Sequence, residues 1–177
     1  MTQSVGLAPL AHSGRLGPLT TVQDAGRPGL AHLGIGTSGA ADRGSYRLAN
    51  RLVGNREDEA ALEVTLGGLV VRADHDLLIA VTGAPCPLTV AEIGYGINSP
   101  ISVMAGQQVG LRSPVSGMRS YLAVRGGIRV PEVLGSRSTD TLSAVGPDPL
   151  AGGGRSTDRL AVRRTARAGP GRGRRPS

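Results

Sequence analysis

The chain has 177 residues and a formal net charge of +7, and all 20 of its cationic side chains are arginine. Without lysine, these residues hold no biotinyl-lysine, no Schiff-base lysine and no G-x-x-x-x-G-K-[ST] phosphate loop. Phe and Trp are absent too, so a core of single-domain size has to be built from Leu, Val, Ile and Ala.

Residues 1–13 have neither a basic n-region nor a sustained apolar run, so they read as a flexible start rather than a signal peptide. No stretch approaches the ~20 apolar residues of a membrane span. Leu19 to Gln23 alternates apolar and polar residues, several β-branched, and predicts a short strand. Asp24-Ala25-Gly26-Arg27-Pro28-Gly29 breaks it, with Pro28 pushing Arg27 extended. Gln23, Asp24 and Arg27 therefore lie at a strand end and in the loop beyond, where binding residues are often placed. Asp24 and Arg27 either pair with each other or leave Arg27 to hold a carboxylate in bidentate fashion.

Gly34-Ile35-Gly36-Thr37-Ser38-Gly39 matches G-x-G-x-x-G, and Glu59 and Glu63 lie about 20 residues on, where a ribose-binding acid would sit. A dinucleotide site would need a buried hydrophobic strand before the motif and a helix–strand alternation after it. The sequence shows neither. A helix is expected near residues 39–53, with Ser38 as N-cap, Asp42 in the first turns and Gly54 at the C-terminal end. Tyr46, Ala49, Leu52 and Val53 form its apolar stripe. Capping alone explains Ser38 and Asp42; the helix start is also a place where backbone N–H groups bind an anion. His32 and Asn50 complete the polar set of this region.

After the helix the period becomes two. Residues 62–66, 69–71, 77–81, 88–90, 101–104, 107–111 and 119–124 read as strands, the fifth and sixth joined as a hairpin across Ala105-Gly106. Glu63 takes a solvent-facing position by this alternation. Short strands with Gly-rich turns indicate a mostly β barrel or sandwich. Cys86, between Pro85 and Pro87, is the only cysteine, so no intrachain disulfide forms; this suits a reducing cytoplasm and a structural thiol. His12, His32 and His75 lack zinc-ligand spacing, and no metal site is expected; His12 and His75 read as solvated. Arg137, Ser138 and Asp140 form a polar loop, either a second wall of a site or turn chemistry. Arg-Ser-Thr-Asp recurs at 137–140 and 155–158, too short to mark a repeat.

Six of the arginines fall in residues 163–177, which hold no acid; the other fourteen face thirteen acids. The basic character thus belongs to a tail of Arg, Gly and Pro, disordered by composition and without aromatics to stack bases, so nucleic acid is not an expected partner.

Taken together, Pro-Leu-Thr-Thr-Val-Gln-Asp-Ala-Gly-Arg-Pro-Gly (18–29), Ser-Gly-Ala-Ala-Asp (38–42), Leu-Ala-Asn-Arg-Leu-Val-Gly-Asn (48–55) and Ala-Leu-Glu-Val-Thr-Leu-Gly-Gly (61–68) closely resemble the KipA family. This family is also called allophanate hydrolase subunit 2, or biotin-dependent carboxyltransferase-like, and includes the C subunit of 5-oxoprolinase and part of urea amidolyase. Val81-Thr82-Gly83-Ala84, Tyr121 to Gly127 and Val133 to Asp140 continue the resemblance, which spans about 14–162. It implies a cyclophilin-like, mostly β fold with one main helix, the first of two related barrel halves, so that a second half of the family's length is missing here.

The resemblance also implies a cytoplasmic multi-subunit system that opens 5-oxo-L-proline to L-glutamate. The complex would use ATP, and biotin would enter only on another chain. A KipI-like B subunit and a LamB/YcsF-like A subunit would be its partners, and a small amide its substrate. The alternatives are a urea/allophanate-type carboxyltransferase component, or a non-catalytic regulator bound to a KipI-like partner. The motif positions supply site candidates: Asp24 and His32 for proton transfer, and Gln23, Arg27, Ser38, Asp42 and Asn50 for substrate. This chain alone is expected to be inactive.

Overall fold

A computed structural model describes residues 16–150 in full and the backbone of 8–11 and 160–162. The sequence readings for 1–7, for 12–15 with His12, for the second Arg-Ser-Thr-Asp and for the 163–177 tail lie outside the described residues.

In chain order the elements are β1 (Ala8–Ala11), β2 (Leu19–Gln23), a 3-10 turn (Ala31–Leu33), α1 (Arg43–Leu52), β3 (Ala61–Thr65), β4 (Leu69–Ala73), β5 (Leu77–Gly83) and β6 (Leu88–Val90). They continue with β7 (Ile93–Tyr95), β8 (Pro100–Val103), β9 (Gln108–Leu111), β10 (Arg119–Val124), β11 (Ile128–Arg129) and β12 (Leu160–Val162). Among the described residues the fold is mostly β with one α-helix, as the sequence implied. The predicted strands are present, while β1, β7, β11 and β12 are additional. β1 lies within the stretch read as flexible, and pairs with β4 and β12.

The strands form a seven-stranded sheet, β11-β12-β1-β4-β9-β6-β7, and a five-stranded sheet, β2-β3-β10-β5-β8. Every ladder is antiparallel. The hairpin expected across Ala105-Gly106 does not form. β8 pairs with β5 in one sheet, and β9 pairs with β4 and β6 in the other. Two hydrogen bonds turn the chain across instead: Gly106 N–H donates to Ala73 O at 2.6 Å, and Met104 N–H to Gln107 Oε1 at 2.8 Å. The connection bridges the sheets rather than folding back within one.

The main core lies between the sheets. Val22, Leu62, Val64, Ile79, Val81, Leu122 and Val124 come from one, and Leu69, Val71, Leu88, Val90, Val109 and Leu111 from the other. Burying such side chains stabilises a fold by about 1.5–3 kcal/mol each, so aliphatic residues suffice without Phe or Trp. The opposite face of the five-stranded sheet is also covered. There Ala61, Ala80, Tyr121 and Ala123 pack against Ala40, Tyr46, Ala49 and Val53 on and beside α1. Small residues let the helix approach the sheet, and Tyr46 meets Tyr121 edge-on at 6.3 Å.

α1 begins later than the sequence indicated. Its N-cap is Asp42, whose Oδ1 accepts the Ser45 N–H at 3.0 Å and whose Oδ2 accepts the Ser45 hydroxyl at 2.6 Å. Ser38 is not the cap: it sits at φ +54°, outside the extended backbone a capping residue adopts. At the other end Gly54, at φ +73°, donates its N–H to Arg51 O at 3.0 Å and closes the helix as expected.

Candidate functional site

At the C-terminal end of β2 the chain enters a loop whose stem is two backbone contacts. Arg27 N–H donates to Thr37 O at 2.7 Å, and Ala40 N–H to Asp24 O at 3.0 Å. The strands of this stem lie so close that a Cβ on Gly39 would come within 2.8 Å of the Gly26 nitrogen. Residues 133–140 fold against the stem like a strap. The strap turns through Leu134 and Gly135, both at positive φ, and its Thr139 N–H donates to Val22 O at 2.9 Å.

Asp24 joins loop to strap. It is 7% exposed, and its carboxylate accepts four hydrogen bonds: Gly26 N–H at 2.8 Å, and the Ser136 hydroxyl, Ser138 hydroxyl and Arg137 N–H at 2.6 Å each. Ser138 Oγ in turn accepts the Asp24 N–H at 2.9 Å. Arg27 is still more buried, at 2%. Its Nε donates to Val133 O at 3.3 Å, Nη1 to Ser38 Oγ at 2.9 Å and Nη2 to Ser138 O. Ser38 passes the connection on, donating to Asp140 Oδ2 at 2.8 Å. Hydrogen bonds from the Ser143 N–H and the Ser38 hydroxyl hold the Asp140 carboxyl below the usual range.

Asp24 and Arg27 therefore do not form the ion pair that was one of their two sequence readings; serines stand between the guanidinium and each acid. Arg27's donors bind two strap carbonyls and Ser38, inside the protein. Arg137, Ser138 and Asp140, read either as a second wall of a site or as turn chemistry, all lie on the strap, and Asp140 Oδ1 also accepts the Leu142 and Ser143 N–H groups at 3.0 Å each, as in a turn. Ser136, which the sequence did not single out, belongs to the strap as well.

The other predicted residues disperse. Gln23 is buried beside the cluster; its Nε2 donates to Thr21 Oγ1 and Thr139 O at 3.0 and 3.1 Å. His32 is exposed on the 3-10 turn, with Nδ1 3.1 Å from Gly29 O. Asn50 is buried on the inner side of α1, donating to Glu59 O at 2.8 Å and accepting from Asn55 Nδ2 at 2.9 Å, which ties the helix to the loop after it. The G-x-G-x-x-G glycines lie in the exposed loop before α1, with no parallel strand among the described residues. Cys86 is buried, 3.6 Å from the Ser120 hydroxyl, as a structural thiol would be. His75, read as solvated, is half-buried with its Nδ1 unpartnered.

A second polar chain runs from α1 through the sheet, and the sequence misassigned its central member. Glu63 is 6% exposed rather than solvent-facing, because α1 covers the alternate face of β3. Its Oε2 accepts the Ala41 N–H at 3.0 Å and the Tyr121 hydroxyl at 2.8 Å; its Oε1 accepts Arg119 Nε at 2.8 Å. Tyr121 Oη also accepts the Asp42 N–H at 2.7 Å. Burial pushes the Tyr121 phenol well above its ordinary pKa, with Glu63 adding to the effect against the Asp42 N–H. Hydrogen bonds from Ser45 hold the Asp42 carboxyl below its ordinary value. The available clue was the apolar stripe of α1: it needed a sheet face to cover, and Glu63 and Tyr121 stand on that face.

This chain of groups backs an open pocket of about 290 Å³, lined by Ala41, Asp42, Ala84, Gly117, Met118 and Arg119. A hollow of about 360 Å³ lies between Ala25, Arg47, Arg56, Glu57 and Asp58, but its arginines pair with Glu57 and Asp58. Among the described residues no three His, Cys, Asp or Glu are grouped to hold a metal ion, and no helix is long and apolar enough to cross a membrane.

Known proteins resemble this chain in sequence and in fold. Residues 33–175 match the family described as "Carboxyltransferase domain, subdomain A and B". The chain is 46% identical to the C subunit of 5-oxoprolinase from Escherichia coli over 132 residues, which is 75% of this chain and 43% of that protein. It is 42% identical to urea amidolyase of Lachancea kluyveri over 131 residues, 73% of this chain and 7% of that one. Among solved structures, the Kluyveromyces lactis urea amidolyase superposes with a TM-score of 0.71 at 41% identity, covering 77% of this chain and 8% of that one. TTHA0988 gives a TM-score of 0.83 at 33% identity, covering 99% of this chain and 35% of that one. The chain thus spans less than half the length of each of these proteins. It belongs to the carboxyltransferase domain family, subdomain A and B.

Proposed function

We propose that this chain is part of a protein like the C subunit of 5-oxoprolinase, acting in the ATP-dependent opening of 5-oxo-L-proline to L-glutamate. The observation that carries this reading is the 46% identity to that C subunit. The complex would use ATP on its partners, a KipI-like B subunit and a LamB/YcsF-like A subunit, and work in the cytoplasm. Biotin, where used at all, would arrive on another chain, since none of these 177 residues is a lysine. The 42% identity to urea amidolyase supports a second reading, a urea-type carboxyltransferase component.

Within the first reading, Asp24, Arg27, Ser38 and Asp140 are positioning residues. They clamp the loop that leads into α1 and so set where Asp42 and the helix start lie. His32, exposed on the same loop, remains the candidate for proton transfer at the surface.

The test is co-expression with both partner subunits. The reading expects co-purification and no turnover by the 177-residue chain alone. ATP hydrolysis dependent on 5-oxo-L-proline should appear once the chain is joined to the remaining part of such a C subunit. Hydrolysis that responds to urea and not to 5-oxo-L-proline would select the second reading. Turnover by the chain unaided would contradict both.

A further inference from the structure

The Asp42–Arg119 pocket carries a feature that the loop motifs do not. Arg119 is anchored at one edge only: Nε is fixed on the buried Glu63 carboxylate, itself locked by Tyr121 and the Ala41 N–H. The two Nη groups make no hydrogen bond among the described residues, and the side chain is 40% exposed where it lines the pocket. A guanidinium held by one edge is a preorganised donor fork. Asp42 lines the same pocket, and its carboxylate oxygens, each taking one bond from Ser45, retain acceptor capacity. Ala41, Ala84 and Met118 supply apolar lining between them.

A simple anion would gain from Arg119 and lose to Asp42, and Glu63 already balances the guanidinium. A neutral, planar group with an acceptor on one side and a donor on the other satisfies both residues. An amide is such a group. We propose that this pocket binds a planar amide or lactam, its carbonyl oxygen on the Arg119 Nη groups and its N–H on the Asp42 carboxylate. The proposal rests on the amide-opening reading above and assigns it a site away from the Asp24–Arg27 cluster.

The experiment titrates the ¹⁵N-labelled 177-residue chain with 2-pyrrolidinone, urea and 5-oxo-L-proline. Cyclopentanone, which has the carbonyl without the N–H, is the control. Binding should shift the resonances of Ala41, Asp42, Ala84, Gly117, Met118 and the Arg119 side chain, and cyclopentanone should leave them in place. Arg119→Gln and Arg119→Lys should each weaken the amide by about tenfold, because neither offers the fork. Asp42→Asn keeps a good helix cap and should weaken it as well, which guards against misreading a folding defect.

Shifts from pyrrolidinone and urea without 5-oxo-L-proline would uphold the pocket while removing the 5-oxoproline reading. Shifts from 5-oxo-L-proline confined to residues 23–38 would overturn the pocket and leave that reading standing. Equal binding of cyclopentanone, unchanged affinity in both Arg119 variants, or no shift with any amide would each overturn the proposal.

Discussion

Asp24 is a buried carboxylate without a cation on it, held by two hydroxyls and two backbone N–H groups. Removing the acceptor strands those donors, and an unsatisfied buried donor costs about 1–3 kcal/mol. Asp24→Ala should therefore lower the unfolding free energy by roughly 3 kcal/mol, and Asp24→Asn by less, since it keeps one acceptor oxygen. Urea denaturation measures both; a loss below about 1 kcal/mol for the alanine variant would show that the strap does not depend on Asp24. The tyrosines make a pH prediction. Burial pushes the phenols of both Tyr46 and Tyr121 up. A raised folded pKa favours the native state fully below the unfolded value, about 10, and the benefit is lost as pH rises beyond it. Stability should fall above about pH 10, by up to about 1.4 kcal/mol per pH unit for each phenol. The Tyr46→Phe, Tyr121→Phe double variant should show a shallower alkaline decline in Tm. Parallel declines would rule out the phenols as its origin.

Among the elements, the loop from Asp24 to Ala40 is set by close backbone approach at its stem as well as by the Asp24 and Arg27 side chains. Gly39 stands at φ +84°, and a Cβ there would press on Gly26 and Ala25 backbone atoms. Gly39→Ala should cost about 2 kcal/mol or more, strain and clash together, whereas Gly36→Ala meets open space in the same loop and should be near neutral. Thermal unfolding of the pair checks this, and equal effects would contradict it. The strands and the helix were legible because aliphatic alternation and the Tyr46–Val53 stripe are local signals. The partners of those strands were not. Residues 101–104 and 107–111 look like a hairpin from their spacing, yet each pairs with strands distant in the chain, and in different sheets. Glu63 was misread for the related reason that alternation reports one covered face, and β3 has two.

For the whole molecule, the sequence identified the polar loop and its strap but not how the cluster divides. Gln23, Asp24, Arg27 and Ser38 are turned inward to meet residues 138–140, from 102 to 116 positions along the chain. The pocket instead joins Asp42, at the edge of the Ser-Gly-Ala-Ala-Asp motif, to Arg119, whose neighbours read only as a strand. Charge is distributed in the same uneven way. The chain without residues 163–177 holds fourteen arginines against thirteen acids. Any salt-dependent binding of nucleic acid by the full chain should therefore vanish when 163–177 are deleted. Retained affinity would show a basic surface elsewhere.

A domain that does the work of the matching part of a 5-oxoprolinase C subunit should function in that part's place. Residues 16–150 can be exchanged into the aligned segment of the Escherichia coli protein, and ATP hydrolysis followed with its partner subunits present. The exchanged protein should assemble and hydrolyse ATP in response to 5-oxo-L-proline, and Arg119→Gln within it should raise the 5-oxo-L-proline concentration needed for half-maximal response by about tenfold without preventing assembly. An exchanged protein that folds and assembles, yet gives no 5-oxo-L-proline-dependent hydrolysis, would refute the proposed function.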